Sequence, residues 1–356
     1  MSAVVAREDY AAHRLLGLEL DGGWRVVEKV VRPPDATGEN FSVGYVVERD
    51  GERAHLKALD FSFAFTQTDF TRVIEDMTAA FNFERDILGR CALSRMDRVV
   101  LALAHGQVIV EGAPGIPQVS YLIFEKADGD VRRILGSGEH PIDAQWKLRM
   151  LHHASIGLSQ MHRRGMAHQD MKPSNLLIFN GDSAKVADLG RASQQDIVAP
   201  HDNYPFPGDP AYKPLEFFYG QISPNWNERR QASDLYMLGS LTLFLFANAH
   251  TTATVLSRLP DAVQPGVWTG PYSEALPYIR VAFNEVMEEL DELLHQQLNT
   301  ETAGRVVTVV RQLCEPDPAR RGHPRTHAMR HGNPYSLERF VAEFDLLSRR
   351  APAARG

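Results

Sequence analysis

His168-Gln169-Asp170-Met171-Lys172-Pro173-Ser174-Asn175 is followed, after an apolar stretch, by Asp188-Leu189-Gly190. Any one of these polar residues has an ordinary reading, since Asp and Asn cap helices and line solvated turns. Taken together they meet the needs of phosphoryl transfer. That reaction requires a carboxylate to receive a hydroxyl proton and a cation beside the migrating group. It also requires a second carboxylate and an amide oxygen to hold Mg²⁺. The stretch holds two Asp, a Lys and an Asn, the kinds of group these tasks need.

The order and spacing of these residues resemble the catalytic loop and metal-binding turn of protein kinases. The resemblance implies that Asp170 accepts the substrate proton and that Lys172 lies near the transferred phosphate. Asn175 and Asp188 are implied Mg²⁺ ligands, with Asp188 bridging the ion to the nucleotide phosphates. Upstream, Lys57 in Ala54-His55-Leu56-Lys57 resembles the lysine that holds the α and β phosphates. Glu84, in Phe83-Glu84-Arg85-Asp86, stands where the family places that lysine's partner. Ahead of Lys57, between the first two expected strands, the stretch Ala36-Thr37-Gly38-Glu39-Asn40-Phe41-Ser42-Val43-Gly44-Tyr45 resembles the phosphate-covering loop, with Gly38 and Ser42 in the nucleotide site. For the base and ribose the resemblance implies backbone hydrogen bonds from Glu125 and Ala127, a floor at Leu177, a back-pocket residue at Phe124 and a ribose contact at Asp130.

Four departures from the pattern carry their own expectations. Only Gly38 and Gly44 remain of the loop glycines, with the wrong spacing for a set of three. His55 replaces the small residue that usually lies against adenine. Gln169 replaces the Arg that usually meets a loop phosphate, which argues against activation by loop phosphorylation, with Ser193 and Tyr204 left as the candidate sites. Asp209, in Gly208-Asp209-Pro210-Ala211-Tyr212-Lys213-Pro214-Leu215-Glu216, replaces a Thr. It either pairs with Lys172 or raises the pKa of Asp170. Glu216 is the implied partner of Arg321, and Asp234 the implied buried anchor of the catalytic-loop backbone.

Outward from these motifs the chain is ordinary for a globular protein. Its 356 residues suit a two-lobed domain, and a net charge of -7 argues against general affinity for nucleic acid or anionic membrane. Cys91 and Cys314 are expected to be buried thiols in a reducing cytoplasm. The N-terminus lacks the apolar core of a signal peptide. The apolar run Leu235 to Ala249 is too short to span a bilayer and reads as a buried helix.

Patterning predicts strands at Trp24–Val31, Ser42–Glu48, Arg53–Asp60, Val99–Ala104 and Val119–Glu125, with an Asp50-Gly51 hairpin turn. A helix is expected from Phe70 to Leu88, capped by Thr68 or Asp69. Short strands flank Asn180-Gly181, and helices are expected at Lys147–Arg164, Ser233–Asn248, Ala275–Leu298, Gly304–Cys314 and Ser336–Arg349. The expected fold is α+β and two-lobed. It has a small five-stranded β lobe with one long helix over 24–126, and a larger mainly α-helical lobe over 127–349. Residues 1–23 form an N-terminal extension and 350–356 a flexible tail. His323, His327 and His331 are spaced for a metal, but Pro324 and Gly332 break the helix it would need.

The implied function is an ATP- and Mg²⁺-dependent phosphotransferase acting on Ser or Thr hydroxyls of a protein substrate, with autophosphorylation among its reactions. Lys172, two residues after Asp170, favours the Ser/Thr type. A pseudokinase that binds a nucleotide or a partner is the alternative drawn from His55, the thin glycine loop and Asp209. A small-molecule kinase of the aminoglycoside type would lack the Gly208–Glu216 segment and its Arg321 partner.

Overall fold

A computed structural model describes residues 6–31, 41–138 and 142–351. The chain divides into two compact units, Met1–Arg95 with Val100–Ala127, and Met96–Val99 with Asp128–Gly356.

The first unit is built on an antiparallel sheet. Its strands are β1 (Glu19–Leu20), β2 (Trp24–Lys29), β3 (Ser42–Arg49) and β4 (Glu52–Leu59). Helix α1 (Phe70–Leu93) follows, then β5 (Ala102–Ile109) and β6 (Gln118–Glu125). The strand order is β1-β2-β3-β4-β6-β5. Arg49 pairs with Glu52 across the turn Asp50-Gly51, where both residues have positive φ (52° and 82°). That geometry matches the twist of the flanking strands and is the reason for Asp-Gly there. Tyr45, Val47, Ala54, Leu56, Tyr121 and Ile123 alternate onto one buried face. Asp69 caps α1, its Oδ1 accepting from the Arg72 amide at 3.2 Å.

Two differences from the pattern-based reading have physical causes. The expected five strands gain β1, a two-residue sixth. It comes from the N-terminal residues, whose Ala11, Ala12, Leu15 and Leu20 are buried against Trp24 and Tyr45. The Tyr45 hydroxyl donates to the Ala12 carbonyl at 2.8 Å, and His13 Nε2 lies 2.9 Å from the buried Asp60 carboxylate. The strand expected at Val99–Ala104 begins only at Ala102. The preceding residues pair elsewhere, the Arg98 carbonyl accepting from the Val186 amide at 2.9 Å. Gly157 makes that approach possible, because a Cβ there would lie 2.6 Å from the Arg98 oxygen.

The second unit is mainly helical. It begins with β7 (Gly129–Asp130), α2 (Val131–Ser137) and α3 (Ala144–His162). Then come the short strands β8 (Met166–Ala167), β9 (Leu176–Phe179), β10 (Ser183–Val186) and β11 (Ser193–Gln194). The helices α4 (Ala232–Ala247), α5 (Thr251–Leu256), α6 (Tyr272–Gln297), α7 (Thr300–Leu313), α8 (Pro324–His327) and α9 (Glu338–Arg350) complete it. β9 and β10 form a hairpin through Asn180-Gly181, again with positive φ at both residues (53° and 69°). Every residue of α4 from Ala232 to Phe246 is buried, as an all-round apolar helix requires. Among the described residues no helix is long and apolar enough to cross a membrane. His323 and His327 have structural partners. His323 Nδ1 accepts from the Arg325 amide, and His327 Nε2 sits 2.8 Å from the Arg321 carbonyl.

α3 carries a pH-sensitive contact. His153 is buried, and its Nδ1 accepts a hydrogen bond from the Ala184 amide of β10 at 3.1 Å. Burial, with the nearby Arg98 charge, depresses the His153 pKa from 6.5 to about 4. The unfolded chain therefore binds the proton more readily than the native one between those values. The contribution of His153 to stability is present above pH 6.5 and is lost towards pH 4, by at most about 3 kcal/mol. Urea unfolding at pH 7 and pH 5 measures the loss. His153→Gln keeps an acceptor without titrating and should flatten the pH slope.

Candidate active site

In the first unit, Lys57 and Glu84 meet. Glu84 falls within the buried stripe of α1 that also contains Met77, Ile87, Leu88 and Cys91. A carboxylate on such a stripe requires a counterion. Lys57 provides it, its Nζ lying 3.0 and 2.9 Å from the two carboxylate oxygens. The Lys57 side chain remains 24% exposed against 6% for Glu84, so the ammonium stays partly accessible. Gly44 is the register partner of Lys57, and Ser42 of Leu59. Paired residues share a sheet face, which puts Ser42, Gly44, His55 and Lys57 on one side of β3 and β4. The His55 ring lies over Gly44, where a Cβ would come within 3.1 Å of it. Glu125 ends β6 opposite Ala54, next along the sheet from Phe124 opposite His55. Ala127 is the last residue of this unit. Gly38 lies outside the described residues.

In the second unit, Asp170, Lys172 and Asn175 form one buried cluster. It hangs from Asp234 on α4, which is fully buried. The Asp234 carboxylate accepts from the backbone amides of His168 (2.7 Å) and Gln169 (2.8 Å), and lies 2.8 Å from His162 Nε2. Gln169 has φ 67°, a conformation unfavourable for a side-chain-bearing residue and sustained here by those bonds. His168 continues the scaffold. Its Nε2 is 2.9 Å from the Ala187 carbonyl and must carry the proton. Its Nδ1 is then free to accept from the Asp170 amide at 3.2 Å.

The Asp170 carboxylate is 6% exposed and held at both oxygens. Oδ1 accepts from the Asp209 amide at 2.7 Å. Oδ2 accepts from Asn175 Nδ2 at 3.1 Å and lies 3.0 Å from Lys172 Nζ. Burial raises the Asp170 pKa, Lys172 opposes the rise, and the charge of Asp188 adds to it. A raised pKa makes this carboxylate a better proton acceptor than a solvated one. Lys172 is also raised: burial alone would lower it, but Asp170, Asp209 and Asp188 outweigh burial and keep it cationic.

Asn175 spends its amide NH₂ on the Asp170 carbonyl (2.8 Å) and carboxylate. Its remaining atom is an oxygen, the donor type Mg²⁺ prefers. Asp188 lies two residues past the end of β10, exposed, with φ 61°. An exposed carboxylate and an amide oxygen fit an ion that takes a few protein oxygens and completes its shell with phosphate and water. Asp130 and Leu177 are register partners between β7 and β9. The Asp130 carboxylate also caps α2, accepting from the Arg133 amide at 3.0 Å.

Asp209 resolves one alternative left open by the sequence. Its carboxylate pairs with Lys172 at 3.5 Å, and its amide bond lowers the Asp170 pKa. Gly208 is required beside it, because a Cβ would lie 2.1 Å from the Gln169 oxygen. Glu216 and Arg321 form a fully buried two-point pair, with both N–O distances 2.8 Å. Sequence reasoning missed Arg230. This 1%-exposed cation touches the Gln169 side chain and the Asp202 carboxylate. Its signal was a basic pair, Arg229-Arg230, placed directly ahead of an apolar helix.

Comparison with known proteins identifies the family. Residues 98–323 match the protein kinase domain, well over half of the chain. The chain therefore belongs to the protein kinase domain family. It is 29% identical over 122 residues to the mitogen-activated protein kinase HOG1 of Wallemia muriae, covering 34% of this chain and 40% of that protein. It is 34% identical over 93 residues to mitogen-activated protein kinase kinase kinase 20 of Arabidopsis thaliana (26% and 25%). Against the serine/threonine-protein kinase mos of Xenopus laevis it is 34% identical over 93 residues (26% and 24%). The chain thus spans less than half the length of each of these relatives.

Proposed function

We propose that this protein transfers the γ-phosphoryl group of ATP to serine or threonine hydroxyls of proteins, itself included, in a Mg²⁺-dependent reaction. The observation that carries this reading is the Asp170 cluster. A buried carboxylate of raised pKa is held at both oxygens, with a lysine ammonium 3.0 Å away. Ser/Thr specificity is supported by the named relatives and by Lys172.

In this reading each residue has a task that its chemistry suits. Asp170 takes the proton of the attacking hydroxyl at its Oδ2 edge. Lys172 offsets negative charge on the transferred group. Lys57, fixed by Glu84, binds the nucleotide's α and β phosphates. Asn175 and Asp188 supply oxygen ligands for Mg²⁺, which neutralises phosphate charge when bound. Ser42 and Gly38 contribute to the phosphate cover. Glu125 and Ala127 present backbone groups to the base, Leu177 forms its floor and Asp130 reaches the ribose.

The test is incubation of the purified protein with γ-labelled ATP and Mg²⁺, with and without a mixture of Ser/Thr protein substrates. Label should appear on the chain or the substrates as phosphoserine or phosphothreonine. Chelation with EDTA should abolish it, and restoring excess Mg²⁺ should recover it. If the wild type neither transfers label nor gains thermal stability from ATP and Mg²⁺, the enzyme reading fails and a partner-binding role replaces it.

A further inference from the structure

The stretch between β11 and Asp209 is tied to the catalytic loop by a charge pair that no family motif predicts. Arg230, just ahead of α4, is buried and must be matched by a nearby anion. Its Nη2 lies 3.2 Å from Asp202 Oδ1 and 3.3 Å from the Asp202 carbonyl. Its Nη1 donates to Gln169 Oε1 at 3.2 Å, and its own carbonyl accepts from Gln169 Nε2 at 2.7 Å. Arg229 adds bonds to the carbonyls of Asp202 (2.7 Å) and Tyr204 (3.0 Å).

Both oxygens of the Asp202 carboxylate are engaged. Oδ1 also accepts from the Ser193 hydroxyl at 3.1 Å, and Oδ2 from the Ala199 amide at 2.7 Å. Ser193 is fully buried, so its hydroxyl is part of this network and closed to a modifying enzyme. Asp202 itself is 28% exposed at the side chain. The network is therefore continuous from Asp202 through Arg230 to Gln169, the residue before Asp170. At its far end the same segment returns to Asp170 through Gly208 and the Asp209 amide.

We infer that Asp202 is a built-in anion that locks this segment onto the catalytic loop through Arg230 and Gln169, so that Asp170 is held in its working geometry without a loop phosphate. Asp202 and Arg230 are positioning residues. Gln169 completes the arrangement, because its amide both donates to and accepts from Arg230, whereas a second guanidinium there would repel it. The inference rests on the proposed kinase activity and adds how that activity is kept switched on.

The test uses the full chain after phosphatase treatment: wild type, Asp202→Asn, Asp202→Glu, Arg230→Gln and the Asp202→Asn/Arg230→Gln double variant. Phosphoryl transfer and amide hydrogen exchange over 197–209 are read together. Phosphatase should leave wild-type turnover unchanged. Asp202→Asn should lower kcat at least about tenfold with KM for ATP within about twofold, as expected when geometry at Asp170 loosens. Exchange over 197–209 should accelerate about tenfold in the same variant. Asp202→Glu should restore most of both, and the double variant should be no worse than Arg230→Gln alone. Wild-type kcat and protection in Asp202→Asn, or a wild type silenced by phosphatase, overturn the inference. Should the wild type transfer no phosphate at all, the kinase reading falls, and the exchange data alone decide whether Asp202 holds the segment. Asp202→Asn alters a partly exposed side chain, so the test stands even if Arg230→Gln does not fold.

Discussion

Asp170→Asn should reduce phosphoryl transfer by about a thousandfold while leaving the protein folded, the scale expected when a general base is removed. The substitution conserves size, and an amide oxygen can still accept from the Asp209 amide. It cannot take a proton from a substrate hydroxyl. Its NH₂ would also face two donors, Lys172 Nζ at 3.0 Å and Asn175 Nδ2 at 3.1 Å. The loss should fall on kcat, with ATP binding measured by titration little changed. Thermal stability should change little, since relief of the buried charge, which burial and the Asp188 charge disfavour, is offset by the two donors left facing the NH₂. The wild-type pH profile follows from the same shift. In the proposed reaction Asp170 acts ionised, so kcat should fall with decreasing pH at a point above the ordinary Asp value. An Asp170→Asn protein with more than about a tenth of wild-type kcat would remove Asp170 from the role of base.

The second large effect is on stability. Glu216→Ala should destabilise the protein by about 3–5 kcal/mol, because it leaves the Arg321 charge buried without its anion. Arg321 is 0% exposed and its guanidinium meets Glu216 at two 2.8 Å contacts. Burial alone would lower its pKa, but Glu216 reverses that and raises it. The remaining partners are the carbonyls of Glu315, Ala232 and Pro316 and the Tyr236 ring, 4.9 Å from the guanidinium carbon. They solvate the cation without neutralising it. Replacing both members, as Glu216→Leu with Arg321→Met, should recover most of the loss, since an apolar pair has no charge to desolvate. Urea unfolding of the three variants checks both statements. A Glu216→Ala change below about 1 kcal/mol would mean that water reaches the guanidinium.

What was legible in the sequence depended on range. The Asp50-Gly51 and Asn180-Gly181 turns and the Asp69 cap are set by neighbouring residues, and they were readable from them. The apolar run at Leu235 became the buried α4 because a helix without a polar face has nowhere else to go. The catalytic loop was legible for a different reason: its chemistry demands particular groups at short, fixed separations. The errors came where a short segment had two possible partners. Residues 99–101 are apolar enough for a strand, yet the adjoining Arg98 carbonyl was already committed to Val186. Ala11, Ala12, Leu15 and Leu20 fall in the expected N-terminal extension, yet they are buried with Trp24 and Tyr45.

The sequence by itself pointed to the protein kinase family, through the motif of Asp170, Lys172, Asn175 and Asp188, and to the order of β and α segments that frame it. Only the tertiary structure decided how the proposed base, Asp170, is held. The Asp209 amide on Asp170, the Asp234 carboxylate under His168 and Gln169, and the Asp202–Arg230 pair each join residues distant in the chain. Local propensity has no periodicity or spacing that encodes such contacts. They form because burial strips water from a charge or an amide, and the folded chain must then supply the missing partner.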